Sequence, residues 1–356
     1  MANIRVLSWN IEVYGPTKFA ITPNNVAVAR FVSQTIQESN ANVVVLMELN
    51  SGVAQQIATT IELDIEAATG QNWDTFVTPA RPAGDVESYA FLWRTDAAVN
   101  FMPIAAAAGL SNLSFPNNFS TINGRRAAYK TFRTTDTATN FAVSVYHAPP
   151  NNQAVLGVQQ LASTPELYAV TRNGMVENVN RRALCGDYNM DAVNDAMYFL
   201  PLTSALPPMP PPVGAGQGSG CLPAIVGGAL NQSTILGTIA DAISAWGLFI
   251  AGWAHTSTSY RRPNAAIDNI YYRAAGFNNA APLDCINAIR NPSLGSQIRA
   301  IANNFVLTYP NGNPAFPNAQ NFPPGMNLAL NNMGYAFLLY RYAISDHLPV
   351  FADVTI

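Results

Sequence analysis

The chain has three histidines among its 356 residues, and two of them stand where apolar runs end: His147 in "VSVYHAPP" and His347 in "AISDHLPVF". Other polar residues occupy similar places. Asn10 follows "VLSW", Glu48 follows "VVVLM", Asp187 and Asn189 follow "ALC" in "GDYN", Asp268 opens "DNIYY", and Asp346 stands beside His347. Charged groups in apolar surroundings are costly unless paired, hydrogen-bonded or metal-bound. Taken singly, each has a plain structural explanation: Glu48 reads as a solvated strand end, "GDYN" as a turn built from turn formers, and "SDH" before Leu-Pro as a helix cap. Taken jointly, polar residues at the ends of so many strands are harder to explain as structure, because strand ends converging on one edge of a sheet are where open α/β folds place their sites.

The chemistry open to such a set is specific. Carboxylates, amides and imidazoles without a thiolate cluster suit a hard, oxygen-preferring ion: magnesium, manganese or calcium. Glu48 and Asp346 would hold a cation that neutralises a phosphoryl oxygen, while the histidines move protons on the attacking and leaving sides. A neutral imidazole needs an orienting carboxylate, which Asp268 would supply to His347.

These residues need elements to position them. "IRVLSWNI" reads as a buried strand. "TPNNVAVARFVSQTI" reads as a helix capped by Thr22 with Pro23 at its first position and Val28, Phe31, Val32 and Ile36 on one face. "ANVVVLMELN" is a second strand. Ser51 is then placed to cap a helix in which Val53, Ile57, Ile61 and Ile65 recur until Gly70 ends it. After this βαβα opening come the strands "WDTFVT", "YAFLWR", "AAYKTFR" and "NFAVSVYHA", a helical stretch from "VLGVQQLA" through "LYAVTRN", and the strands "RALCGDYNM", "AIDNIYYR" and "YAISDHLPVFADVTI". Residues 1–356 read as one α/β unit with two surface insertions. The first, at about 201–230, is Pro-rich and then Gly-rich. The second, at about 276–332, has no sustained period and reads as loop.

Composition narrows the class. Hydrophobic residues make up 49% and charged residues 11%, which fits a folded globular chain. The net charge of −3 gives no general attraction to nucleic acid, so a polyanion would be met by local arginines or by a bound metal. Lysine occurs only at Lys18 and Lys130, and arginines pair at 125–126, 181–182 and 261–262, where some forks would grip phosphate in the bidentate way lysine cannot. Cys185, Cys221 and Cys285 match no zinc or redox spacing, and a Cys221–Cys285 bridge stays open. The apolar runs are too short to cross a bilayer and the first residues are not a basic-then-apolar leader. The expectation is a soluble protein with no transmembrane segment, cytoplasmic or delivered by a non-classical route.

"WNIEVYGPTK", "VVVLMELN", "ESYAFLWR", "VSVYHAPP", "GDYNMD", "AIDNIYY" and "AISDHLPV" resemble, in order, the motifs of the endonuclease/exonuclease/phosphatase superfamily, and within it the pancreatic deoxyribonuclease branch. The resemblance spans nearly the whole chain apart from the two insertions. It implies a four-layered α/β sandwich of two mixed β-sheets and a magnesium-dependent endonuclease with DNA as substrate. By carry-over, Asn10 and Glu48 form the metal end of the site, with Asn10 also facing substrate, and Asp346 joins Glu48 at the ion. Asp187 and Asn189 contact the scissile phosphate or position the water. His347, oriented by Asp268, is one acid/base and His147, paired with Glu87, the other. Arg125 grips the phosphate, or Arg126 if the alignment shifts by one.

There are departures. Glu12 stands where that branch has an arginine, the branch's disulfide cysteines are missing, and both insertions are foreign to it. The acidic balance and Glu12 favour, as an alternative, a phospholipid or phosphoinositide headgroup substrate. A catalytically silent binding module is a further alternative, although no motif residue is lost. Scarcity of lysine is also a trait of toxin subunits that enter cells, which would imply a partner subunit.

Overall fold

The computed structural model describes residues 1–16, 27–79, 87–96, 99–104, 125, 127–149, 153–162, 164–191, 195–203, 221–224, 267–308 and 329–356. In chain order the elements are β1 (Asn3–Tyr14), α1 (Ala27–Ser39), β2 (Val43–Asn50), α2 (Ala54–Thr69), β3 (Trp73–Val77), β4 (Glu87–Arg94), β5 (Phe101–Pro103), β6 (Ala128–Thr134), β7 (Asn140–His147), α3 (Gln153–Ala162), β8 (Ala169–Arg172), β9 (Met175–Asn178), β10 (Arg181–Asp187), α4 (Leu200–Thr203), β11 (Leu222–Pro223), β12 (Asp268–Arg273), β13 (Gly276–Pro282), α5 (Cys285–Arg290), α6 (Gln297–Thr308), α7 (Met333–Ala343) and β14 (Val350–Thr355).

The strands form two six-stranded sheets, β13-β14-β1-β2-β4-β3 and β11-β12-β10-β7-β6-β5, with β8 and β9 as a separate hairpin. Both sheets are mixed: β1 runs parallel to β2 and β10 parallel to β7, and the other pairs are antiparallel. Alternation along the strands sends side chains to two faces. Val43, Val45 and Met47 of β2 and Val143 and Val145 of β7 meet in a core between the sheets. The opposite face of the first sheet packs on α1, α2, α5 and α7 through residues such as Phe31, Ile57, Ile286 and Tyr340. The opposite face of the second packs on α3 and α4 through Val158 and Leu202. This is the expected four-layered α/β sandwich.

Several local expectations change. His347 and Asp346 do not lie within the last strand: α7 takes the apolar run before them, β14 starts only at Val350, and the pair sits on the turn between. Tyr335, Ala336, Phe337, Leu339, Tyr340 and Ala343 of this helix lie in the core, and periodicity alone does not separate a buried helix from a buried strand. The helical reading through "LYAVTRN" ends at α3. Residues 169–172 are instead β8, turned into β9 by Asn173 and Gly174, both at positive φ. Ser51 does not cap α2, whose N-cap is Val53 without a side-chain cap, whereas Gly70 ends the helix at φ 68 as expected.

The 276–332 segment is not loop over its described part: β13 adds an edge strand against β14, and α5 and α6 cover that sheet. Of 201–230, the described residues give only the end of α4 and β11. A Cys221–Cys285 bridge is excluded by placement. Cys221 lies in the helix-side core of the second sheet and Cys285 in that of the first, and all three cysteines are buried thiols outside any disulfide. Arg182 is buried against backbone carbonyls of Leu167 and Val179 and stacks on Tyr168, so it holds structure rather than phosphate. Thr22, Pro23, Lys18, Arg126, Arg261 and Arg262 lie outside the described residues.

Candidate active site

The two parallel pairs end on the same side of the sandwich. β1 packs against β10 and β12, and β2 against β7, so the C-terminal ends of β1, β2, β7 and β10 and the starts of β12 and β14 share one edge. Registry is tight there. Asp187 lies opposite both His147 and Asp268, and a Cβ on Gly186 would come within 2.5 Å of the Tyr146 carbonyl oxygen, so only glycine lets β10 sit this close to β7. On the first sheet, register shifts interrupt β1 between Asn10 and Tyr14 and β2 between Leu46 and Leu49. Bulges of this kind re-aim side chains beside active sites. They put Glu12, Val13 and Glu48 at φ 40, 46 and 61, with Asn189 at 50. A positive φ is especially unusual for β-branched Val13, and such strain clusters at functional sites.

The side chains meet around Asp187. Asn10 donates from Nδ2 to Glu48 Oε1 at 2.8 Å and to Asp187 Oδ2 at 3.0 Å. Glu48 Oε2 accepts from the Val13 amide, and Asn10 Oδ1 from that of Glu12. His147 Nε2 lies 3.4 Å from Glu48 Oε1 and 3.7 Å from Asp187 Oδ2, and its Nδ1 lies 3.2 Å from Glu87 Oε2. His347 Nε2 lies 3.6 Å from the same Asp187 oxygen and 3.4 Å from Asp346 Oδ1, with Nδ1 2.8 Å from Asp268 Oδ2. Arg125 donates to His147 Nε2 and to the Ala148 carbonyl, both at 2.7 Å, and Asn189 donates to that same carbonyl. Every described residue of the sequence-derived site is thus in one place; Arg126 is outside the described residues.

The two imidazoles differ in surroundings. An arginine has only donors, so the contact from Arg125 requires His147 Nε2 to be the acceptor and puts the ring proton on Nδ1, toward Glu87. For His347, burial disfavours the charged ring, but Asp268, Asp187 and then Asp346 outweigh it and hold its pKa well above the ordinary value. Burial raises the pKa of the Asp187 carboxyl, with Asp268 adding to the rise and the two imidazoles opposing it.

The donor set fits a hard cation. Glu48, His147 and Asp187 bring ligand atoms within 4.8 Å of one another, as do Asp187, Asp268 and His347. Asp346 falls in neither group, yet its Oδ1 is buried without a hydrogen-bond partner, the condition a carboxylate oxygen has when its partner is an ion. Counting the Asn10 side chain, which contacts Glu48 and Asp187, oxygen ligands predominate in the set.

Residues that sequence reasoning missed hold the frame. Trp9 Nε1 and Tyr340 O–H both donate to the His347 carbonyl, the Ser345 hydroxyl accepts from the His347 amide, and the Tyr89 hydroxyl accepts from the His147 amide. Arg341 of α7 reaches Glu12 and Asp346. Its one sequence signal is an arginine inside the apolar run "AFLLYRYA".

Two mixed sheets stacked face to face between helices, with a His/Asp/Glu/Asn cluster at their shared edge, define an α/β-sandwich of the deoxyribonuclease type. No family model matches the chain, and no curated protein matches it by sequence. Solved structures do match. An endonuclease/exonuclease/phosphatase from Bacteroides vulgatus is 14% identical at a TM-score of 0.51, with 100% of each chain covered. D. rerio TDP2 complexed with single-strand DNA product is 14% identical at 0.50, with 100% of each chain covered. A mannosyl-6-phosphatase from Bacteroides thetaiotaomicron is 13% identical at 0.50, covering 99% of this chain and 100% of that one. The chain has the endonuclease/exonuclease/phosphatase fold that its motifs resemble.

Proposed function

We propose that the chain is a divalent-metal-dependent phosphoester hydrolase, and that it acts as an endonuclease on DNA phosphodiester bonds. The observation that carries this reading is the pair of histidine–carboxylate dyads presenting both Nε2 atoms to one oxygen of Asp187, at 3.7 and 3.6 Å. His147 Nε2 faces the Arg125 donor and the carboxylates around His347 favour its charged ring, an arrangement suited to a base on one side and an acid on the other of an in-line displacement.

In this reading His147, its Nδ1 proton on Glu87, accepts a proton at Nε2 from the attacking water once Arg125 shifts from that nitrogen to a phosphate oxygen. His347 donates from Nε2 to the departing oxygen, and Asp268 keeps the ring charged and aimed. Asp187 and Asn189 orient the water and the phosphate. Glu48, Asp346 and Asn10 would hold the ion, magnesium first, with manganese and calcium as alternatives. When bound, it neutralises charge on the phosphoryl oxygens. The Glu87–His147 pairing supports the deoxyribonuclease-like branch of the fold.

The net charge of −3 favours a second reading, a smaller phosphate such as a phospholipid headgroup or sugar phosphate. One assay separates them: supercoiled plasmid, single-stranded DNA, RNA, sphingomyelin vesicles and mannose 6-phosphate, each with magnesium and with EDTA. Nicked plasmid only with magnesium is the expected result. Release of phosphocholine or phosphate with plasmid intact moves the assignment to the second reading, and no turnover on any substrate overturns both.

A further inference from the structure

Arg341 has no part in the chemistry above, yet it connects directly to it. Its Nη1 donates to both carboxylate oxygens of Glu12 at 2.9 Å, and its Nη2 lies 3.4 Å from Asp346 Oδ2. One guanidinium thus joins two carboxylates from opposite ends of the chain. Glu12 is brought there by strained backbone at φ 40, with its backbone N–H donating to Asn10 Oδ1. With Asp346 Oδ2 facing Arg341, Oδ1 is the oxygen turned to His347 Nε2 at 3.4 Å and left without a hydrogen-bond partner. The three side chains are only partly exposed, at 33%, 14% and 20% for Glu12, Arg341 and Asp346.

We propose that Arg341 is a built-in cation: it positions Asp346 for one divalent ion and keeps Glu12 from helping to hold a second. This rests on the metal-dependent reading above. Two carboxylates gathered at one point repel each other unless a positive charge lies between them. A guanidinium does this permanently, since it does not deprotonate in proteins and its planar fork matches carboxylates. The other species suited to the same place is a hard divalent ion with oxygen ligands. Glu12, which stands where the resembled branch has an arginine, is therefore neutralised by an arginine supplied from α7 rather than left to repel a polyanion.

The test is Mn2+ binding alone, measured by calorimetry and electron paramagnetic resonance on full-length protein stripped with EDTA. The wild type takes one Mn2+ per chain, Arg341→Met takes two, and the Glu12→Gln/Arg341→Met double variant returns to one. A single Mn2+ in Arg341→Met, or two in the wild type, overturns the inference while leaving metal dependence intact. A wild type that binds none overturns the metal-dependent reading and this inference with it. Glu12→Gln gives an independent check if Arg341→Met fails to fold. It keeps Arg341 but removes the Glu12 charge that balances it, so more of the guanidinium charge opposes an ion at Asp346 and the Mn2+ dissociation constant rises about tenfold. An unchanged constant in folded Glu12→Gln overturns the inference.

Discussion

The two sheets repeat one pairing order. β13-β14-β1-β2-β4-β3 matches β11-β12-β10-β7-β6-β5 position for position, each with a single parallel pair third and fourth from one edge. What the two sheets place at their common edge differs. The first places Asn10 and Glu48 at the register shifts near the ends of β1 and β2; the second ends β7 and β10 on His147 and Asp187 and starts β12 on Asp268. The histidine dyads cross between them: Glu87 of β4 orients His147 of β7, and Asp268 of β12 orients His347, which leads into β14. Neither histidine finds its carboxylate on its own sheet, so the site exists only when the sheets are packed. The dyads are also unequal. Asp268 is 1% exposed and 2.8 Å from its ring; Glu87 is 20% exposed and 3.2 Å from its own.

The largest predicted effect falls on what both dyads share. EDTA should bring turnover below detection and added magnesium should restore it; full activity in EDTA would remove the metal from the proposal. Next, His347→Ala and His147→Ala should each lower kcat about 10³-fold, the range of a positioned acid or base. Because they act in one displacement, the double variant should be little worse than either single one. Multiplicative losses in a double-variant cycle would show that the two rings do not work in the same step.

The buried dyad gives a third prediction, in two readouts. Asp268→Asn removes the neighbouring charge that does most to hold the His347 ring protonated and leaves only Asp187 and Asp346 against burial, so kcat should fall about 10²-fold through a weakened acid. Breaking a buried pair from one side also destabilises the fold, here by about 3 kcal/mol. Chemical denaturation and steady-state kinetics on the same preparation measure both. A variant of wild-type stability would mean that the Asp268–His347 contact holds nothing together.

How far the sequence reaches depends on whether a feature is local. Buried strands and the Gly70 stop depend on neighbours in sequence, and their residues appear where expected. That Asn10, Glu48, His147, Asp187, Asn189, Asp268, Asp346 and His347 form a candidate set was also legible, because polar groups ending apolar runs are conspicuous without coordinates, whereas Glu87 and Arg125 entered only through the family resemblance. The element carrying Asp346 and His347 was not, since a helix buried on one face and a buried strand give similar apolar runs at this length. β13 was missed because an edge strand half open to solvent, "GFNNAAP", needs little apolar alternation. Nor could the sequence show that Arg341 meets Glu12, as that contact joins residues 329 apart.

Glu87→Gln is the smallest of these perturbations and the one that most directly tests the inequality of the dyads. The amide keeps the shape of the carboxylate, and through its carbonyl oxygen it still accepts the Nδ1 proton of His147. What it loses is the charge that stabilises the imidazolium once His147 has taken a proton. Because Glu87 is partly exposed, solvent screens much of that charge, so kcat should fall about tenfold with denaturation stability unchanged. If Glu87→Gln instead matches Asp268→Asn in both kcat and stability, the distinction between a dry and a wet dyad fails and the two histidines are held equivalently. If it falls tenfold while Asp268→Asn falls a hundredfold, the acid is the ring the fold fixes and the base is the one it leaves adjustable, as expected of a base that Arg125 must first release.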